Sequence, residues 1–278
     1  MRNTDLHIHT NYSDGELSPS SVVKLAKKCK LSGMSITDHD SISGIDDARK
    51  EIEKSSIKII DGIELSSHKG EILGYCFNRD DSGLNKLILQ NQKLRIKKIK
   101  ARIDYLIDKG VDISLEDTLA ETSAPIKNIT STHIASVLVK KGFAKDLPEV
   151  FEKYIRNIPT SGTGKATEEK KIIKAICNAG GVAVLPHPWL FKYLRNNLEE
   201  QIQKLMEYGL EGIETTGCYH DADKEFVDDI KRISKKYNLI ETGGSDFHGY
   251  NWIPENILGK YNIDIKVIHK IEEKSSYK

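Results

Sequence analysis

Short apolar runs in this chain end, again and again, on histidine or a carboxylate. A chain built that way delivers polar groups to one rim of a sheet or barrel. Asp5-Leu6-His7-Ile8-His9-Thr10 stands near the start and Ser245-Asp246-Phe247-His248-Gly249 near the end. Thr37-Asp38-His39-Asp40, Gly62-Ile63-Glu64 and Pro186-His187-Pro188 lie between them. Alternate residues of a strand share a face, so His7 and His9 point the same way and Asp5 joins them. Asp14, in the loop Ser13-Asp14-Gly15, can lean over the same rim. This set of imidazoles and carboxylates, without a thiolate, suits Zn2+, Mn2+ or Fe2+ better than copper or an iron–sulfur cluster. It holds more donors than one ion takes, and Glu64 is placed to bridge two. A lone histidine such as His269 reads as surface or core. Rim carboxylates beside neutral imidazoles, by contrast, have no stabilising role without a cation.

The runs are spaced as strands between helices. Thr4–Thr10 reads as a strand, and Ser18-Pro19 then starts a helix that runs to Gly33. Met34–Thr37 is a second strand, Ile42–Lys54 a helix, Ile57–Glu64 a third strand and Glu71–Phe77 a fourth. This alternation points to a parallel sheet or barrel. The rhythm breaks after Leu84. Ile88–Lys109 reads as one long helix, with Ile96, Ile99, Ile103 and Leu106 at helical spacing, and shorter helices are expected at Ser131–Lys140 and Pro148–Arg156. Residues 85–164 are therefore predicted to be an all-helical insertion, and residues 1–84 with 165–278 the α/β domain that it interrupts. Helices at Glu168–Ala179, Leu198–Tyr208 and Lys224–Lys236 alternate with strands at Val182–Leu185, Leu210–Glu214 and Leu239–Thr242 in the last third.

Composition bounds the function. A hydrophobic fraction of 38% and a charged fraction of 30% are those of a globular domain. The net charge of +1 gives no overall field to draw the chain to duplex DNA or anionic lipid. No apolar run reaches the roughly 18 residues of a membrane span. The polar N-terminus carries candidate ligands by residue 7, so no signal peptide is expected. Cys29, Cys76, Cys177 and Cys218 form no Cys-x-x-C pair, which argues against structural zinc and for a reduced, cytoplasmic setting. Nothing points to an obligate protein partner.

The motifs together resemble the PHP family (polymerase and histidinol phosphatase), along nearly the whole chain. They are most similar to its stand-alone nucleoside 3′,5′-bisphosphate phosphatases, which also act as 5′→3′ exoribonucleases on short RNA. Ile72-Leu73-Gly74-Tyr75 and Ala179-Gly180-Gly181-Val182-Ala183-Val184-Leu185-Pro186-His187-Pro188 carry the likeness on either side of the insertion. The resemblance implies a distorted (β/α)7 barrel with a helical cap and two or three divalent ions (Mn2+, Zn2+ or Fe2+). By position, His7, His9, Glu64 and Asp246 would hold one ion, Glu64 and His187 a second, and Asp14, His39 and His248 a third. Members usually carry histidine at the position of Glu71, so Glu71 is the candidate that completes the second set, with His68 nearby; a carboxylate there favours a harder ion. Where relatives show Arg-Pro-His-Ile-Ala, this chain reads Ser131-Thr132-His133-Ile134-Ala135, which keeps His133 as a phosphate contact and drops the guanidinium.

The implied chemistry is hydrolysis of a phosphate ester by a metal-activated water, with no nucleophile motif for a covalent intermediate. His220 is a candidate proton donor or, equally, a substrate contact. The long helix carries Lys93, Arg95, Lys97, Lys98, Lys100 and Arg102. Arg95 and Arg102 are candidates to hold substrate phosphate, against the alternative of a solvated face. The expected partner is a small phosphorylated molecule, a nucleotide or short oligoribonucleotide. Three other readings stay open: an amidohydrolase-type metal hydrolase, a histidinol-phosphatase-type phosphomonoesterase, and a non-catalytic PHP module.

Overall fold

Ser18 starts the first helix as its sequence predicts, its side chain accepting from the Ser21 N–H while Pro19 occupies a position that needs no donor. This is a computed structural model, and it describes residues 3–53, 55–122, 128–159, 163–218, 223–250, 257–261 and 263–277. Strand β1 (Asn3–Asp5) continues as extended chain, with Ile8 in a parallel bridge to Phe247. Helix α1 (Pro19–Lys28) stops earlier than the expected Gly33, at a turn in which Lys30 takes φ +55°. Gly33 instead opens β2 (Gly33–Ile36), where a Cβ would come within 2.5 Å of Ile268 Cδ1. Room for the Ile268 and Thr4 side chains, not helix termination, is the role of this glycine.

Helix α2 (Ile45–Ile52), β3 (Lys58–Ser66) and β4 (Glu71–Tyr75) follow. The connection from β3 to β4 is too short for a crossover, so the two pair antiparallel, with Glu64 opposite Leu73. β4 is also antiparallel to β5 (Val182–Leu185), which modifies the parallel sheet expected from the alternation. The pairs β1–β2 and β2–β3 are parallel. So are β5–β6 and β6–β7, where β6 is Leu210–Gly217 and β7 is Ile240–Gly244. Leu6 N–H donates to Gly243 O (3.3 Å) and His9 N–H to Phe247 O (2.9 Å), so β1 meets β7 and the wall nearly closes into a barrel. The two-residue β8 (Ile263–Asp264) adds antiparallel to β1 at its start. The fold is the α/β barrel that the resemblance implies.

The long helix α3 (Ser82–Asp108) belongs to two cores. Leu84 and Ile88 pack with Ile63, Ile72, Phe77 and Ile176 of the barrel side. Ile99, Ile103 and Leu106 pack with Ile134, Leu138, Val150 and Ile155 in a separate apolar cluster. That cluster joins α3 to α4 (Leu115–Ala120), α5 (Ser131–Lys140), α6 (Leu147–Val150) and a π-helical turn at Phe151–Ile155. α4 shows no helical period in the sequence, because six residues are too few to display one. Its start is instead fixed by a reciprocal cap between Ser114 and Asp117.

Helices α7 (Glu169–Asn178), α8 (Leu198–Tyr208) and α9 (Lys224–Lys236) cover the far side of the barrel. α8 ends where Gly209 adopts φ +112°, as its position predicts. The final helix α10 (Lys266–Lys274) buries Val267, Ile268 and Ile271 against the lower strands. No helix among the described residues is long and apolar enough to cross a membrane.

Candidate metal centre

Tight backbone turns at the strand ends aim the polar side chains across the barrel mouth. Asp40, His187 and Asp246 have φ of +46°, +26° and +51°. Non-glycine residues in that region cost on the order of 1–3 kcal/mol each, a strain that persists only where surrounding structure enforces it.

The result is a dense set of convergent donors. Glu64, buried at the end of β3, approaches four imidazoles. Its Oε1 lies 3.1 Å from His187 Nε2 and 3.4 Å from His7 Nε2. Its Oε2 lies 2.9 Å from His39 Nδ1 and 3.4 Å from His9 Nε2. Asp246 Oδ1 comes within 3.1 Å of His9 Nε2 and 3.4 Å of His7 Nε2. Asp14 Oδ1 is 3.5 Å from His248 Nε2 and 3.8 Å from both His39 Nε2 and His9 Nδ1. Three groups offer atoms that all lie within 4.8 Å of one another: His9, Asp14, His39 and His248; His7, Glu64 and His187; His7, His9 and Asp246.

These donors fit divalent ions. His7 Nε2, His9 Nε2, His39 Nδ1 and Asp14 Oδ1 are buried with no hydrogen-bond partner, although charged or dipolar atoms surround them. Such buried atoms are costly unless something binds them. The donor set of neutral nitrogen and carboxylate oxygen suits Zn2+, Mn2+ or Fe2+.

The electrostatics show what the groups do without a cation. Burial pushes the His39 imidazole down, but Asp14 and Glu64 outweigh it and raise His39 to about 10. Burial is likewise outweighed at His248, which Asp246 and Asp14 raise to about 9. His9 goes the other way, to about 4, through burial and its neighbours His248 and His39. Burial opposes ionisation of Glu64, Asp14 and Asp246, yet the adjacent imidazoles hold all three below the usual carboxylate range. His39 and His248 are therefore protonated at neutral pH when no ion is bound, and an ion entering beside Asp14 displaces both protons. Affinity at that group should rise as pH climbs from 6 toward 9, by about tenfold per unit for each proton released. Calorimetry in buffers of different ionisation enthalpy measures this release. A pH-independent affinity would contradict the assignment.

Other residues singled out by sequence take varied places. Asp5 does not join the donors: its Oδ1 accepts from Ser245 N–H (2.9 Å) and its Oδ2 from Gly259 N–H (2.8 Å), tying the first strand to the last. Glu71 lines the cavity at the mouth and belongs to none of the three groups. Burial, then Glu64, raises its carboxyl. The His68 N–H donates to Thr167 O at 2.9 Å, and its residue lines a different hollow. His133 is buried, and its Nδ1 accepts from Thr130 N–H at 3.0 Å as part of the cap of α5. The Arg95 guanidinium bonds the Asp40 carboxylate, His39 O (3.0 Å) and Ser66 Oγ (3.3 Å). Arg102 donates to Ser131 Oγ while its buried Nε has no partner. His220 lies outside the described residues.

A cavity of about 450 Å³ opens beside the donors, walled by Asp14, His39 and His248 on one side and by Lys98, Arg102 and Ser131 on the other. Three further carboxylates, not marked as donors by their sequence motifs, support the site. Asp38 accepts from Thr10 N–H, Thr10 Oγ and Ser13 Oγ, each at 2.7 Å, and so shapes the loop that carries Asp14. Asp40 anchors α3 through Asn91 and Arg95. Glu214 lies behind His7 and His187. Its signal was present: Gly212-Ile213-Glu214 repeats the pattern of Gly62-Ile63-Glu64.

The comparisons with known proteins agree with this geometry. The chain is 29% identical to a 5′-3′ exoribonuclease of Haemophilus influenzae, over 94% of each chain. It is 27% identical to a 3′,5′-nucleoside bisphosphate phosphatase of Chromobacterium violaceum, over 89% of this chain and 88% of the relative. A solved structure from Bifidobacterium adolescentis, described as a candidate metal-dependent phosphoesterase, superposes with a TM-score of 0.88 at 25% identity, covering 98% of this chain and 96% of its own. The PHP domain model matches residues 5–208, a span that holds β2 to β5 whole, the end of β1, and all of the donors except Asp246 and His248. The chain belongs to the PHP domain family.

Proposed function

We propose that this protein is a metal-dependent phosphoesterase that removes phosphate from nucleoside 3′,5′-bisphosphates or cleaves short 5′-phosphorylated RNA. The observation that carries the reading is the convergence of imidazole and carboxylate donors on Glu64 beside a cavity whose opposite wall is cationic. His7, His9, Glu64 and Asp246 would hold one ion, Glu64 and His187 a second with Glu71 at the mouth, and Asp14, His39 and His248 a third. Divalent ions bound there supply an activated water and neutralise charge on the attacking and leaving oxygens.

The cationic wall supports a substrate with two phosphates. Arg95 is neutralised by Asp40. Lys98 and Arg102 make no ion pair among the described residues: burial and then Arg102 depress Lys98, with Asp40 opposing more weakly, and burial depresses Arg102. Two partly desolvated cations without an ion-pair partner among the described residues are matched to an anion in the ligand. Ser131, which Arg102 bonds, precedes Thr132, whose hydroxyl donates to Asp14 Oδ2 at 3.1 Å. A phosphate held by Lys98 and Arg102 would thus sit close to one bound at the ions.

A charge-assisted grip of about 1.5–3 kcal/mol corresponds to roughly 10- to 150-fold in kcat/KM. Metal-loaded protein should show that preference for adenosine 3′,5′-bisphosphate over adenosine monophosphates and p-nitrophenyl phosphate. Preference for histidinol phosphate would favour the histidinol-phosphatase reading, and no phosphate release from any substrate would favour a non-catalytic module.

A further inference from the structure

We infer that Glu214 is a positioning residue that fixes how His7 and His187 face the ions, an inference that rests on the metal-centre reading above. Its side chain is buried on β6, behind the donor groups. Oε1 lies 3.1 Å from His7 Nδ1, and Oε2 accepts the backbone N–H of His187 at 2.7 Å. The other nitrogen of His7, Nε2, faces Glu64 and Asp246 and has no hydrogen-bond partner. A ligating imidazole must keep its lone pair on the nitrogen that faces the ion, so the proton belongs on the other one. Glu214 supplies the acceptor that holds His7 in that form, with Nδ1–H toward the carboxylate and Nε2 toward the mouth.

The same carboxylate restrains His187. That residue sits at φ +26°, separated from the end of β5 by Pro186, a conformation the chain keeps only under constraint. The bond from its N–H to Glu214 Oε2 is such a constraint. One side chain thus braces the two groups that contain His7, including the one that contains His187. Among the described residues Glu214 bonds no member of the group formed by His9, Asp14, His39 and His248.

Both partners of Glu214 are donors, so both of its oxygens must accept. Glutamine has the same shape but one acceptor and one donor. In Glu214→Gln, one amide orientation presents NH2 to His7 Nδ1 and forces the proton onto Nε2. The other presents NH2 to the His187 N–H, where two donors meet. Neither orientation satisfies both contacts.

The test is metal binding, read apart from catalysis. Glu214→Gln should melt as a folded protein but lose about 10- to 100-fold in affinity at the groups containing His7, the range typical of a removed outer partner. The ion beside Asp14, His39 and His248 should remain, so metal counted per chain falls by part and not all. Glu211→Gln, on the same strand, should leave metal content unchanged. Nitrogen-15 NMR of Zn2+-loaded wild-type protein should show His7 protonated at Nδ1 and not at Nε2, a result independent of whether any variant folds. Unchanged metal content and affinity in Glu214→Gln, equal loss from every group, or His7 protonated at Nε2 in the loaded wild type would each overturn the inference. Wild-type protein that holds its ions but releases no phosphate would sink the proposed function and leave the role of Glu214 standing.

Discussion

Glu64→Ala should lower phosphate-ester hydrolysis by at least about a thousandfold and remove most of the bound metal. The size follows from geometry. Glu64 places one oxygen between His7 and His187 and the other between His9 and His39, so one carboxylate serves four of the candidate ligands. Losing it weakens two sites together, and several kcal/mol of transition-state stabilisation from the ions goes with them. A secondary effect is electrostatic. In the metal-free protein Glu64 helps raise His39 to about 10, so its removal lets that imidazole shed its proton nearer neutrality. Metal counted per chain, kcat/KM and a melting curve measured on the same sample separate loss of ions from loss of fold. A variant that keeps its metal and its rate would show that Glu64 is not the hub.

Arg102→Met should produce a selective defect. We expect roughly 10- to 150-fold lower kcat/KM for adenosine 3′,5′-bisphosphate and less than about threefold for p-nitrophenyl phosphate, because only the first offers a second phosphate to the cationic wall. Family members carry an arginine where this chain has Ser131, and Arg102 reaches the same spot from α3, bonding the Ser131 hydroxyl. The two positions should therefore be interchangeable in part, with Ser131→Arg restoring activity on the bisphosphate in the Arg102→Ser background. Equal losses on both substrates would mean that Arg102 supports the fold or the ions and does not read the second phosphate.

The barrel and its mouth were legible because their signals are local. Strand-end motifs such as His7-Ile8-His9 or Asp246-Phe247-His248 state both the face and the rim, and the structure gathers the eight donors named from them. Caps and glycine stops fixed several boundaries, among them Ser18 and Gly209. What was missed depends on contacts distant in sequence. Asp5 lies on the predicted face but is drawn off by the N–H groups of Ser245 and Gly259, 240 and 254 residues away. Glu214 carries no histidine beside it, and its value appears only when β6 passes behind His7 and His187. Gly33 reads as a helix stop until α10, which the sequence reading did not anticipate, packs Ile268 against it. Arg95 reads as a free cation on a basic helix until Asp40 turns toward it at φ +46°.

The central claim is that cations gathered by Glu64 and its neighbours drive phosphate-ester hydrolysis. The most direct test measures phosphate release from adenosine 3′,5′-bisphosphate by protein stripped with a chelator, its residual metal counted, and then by the same protein refilled with Mn2+, Zn2+ or Fe2+. The account predicts that the stripped enzyme retains less than about one per cent of the rate and that at least one of these ions restores it. Undiminished release by protein shown to be free of metal would contradict it.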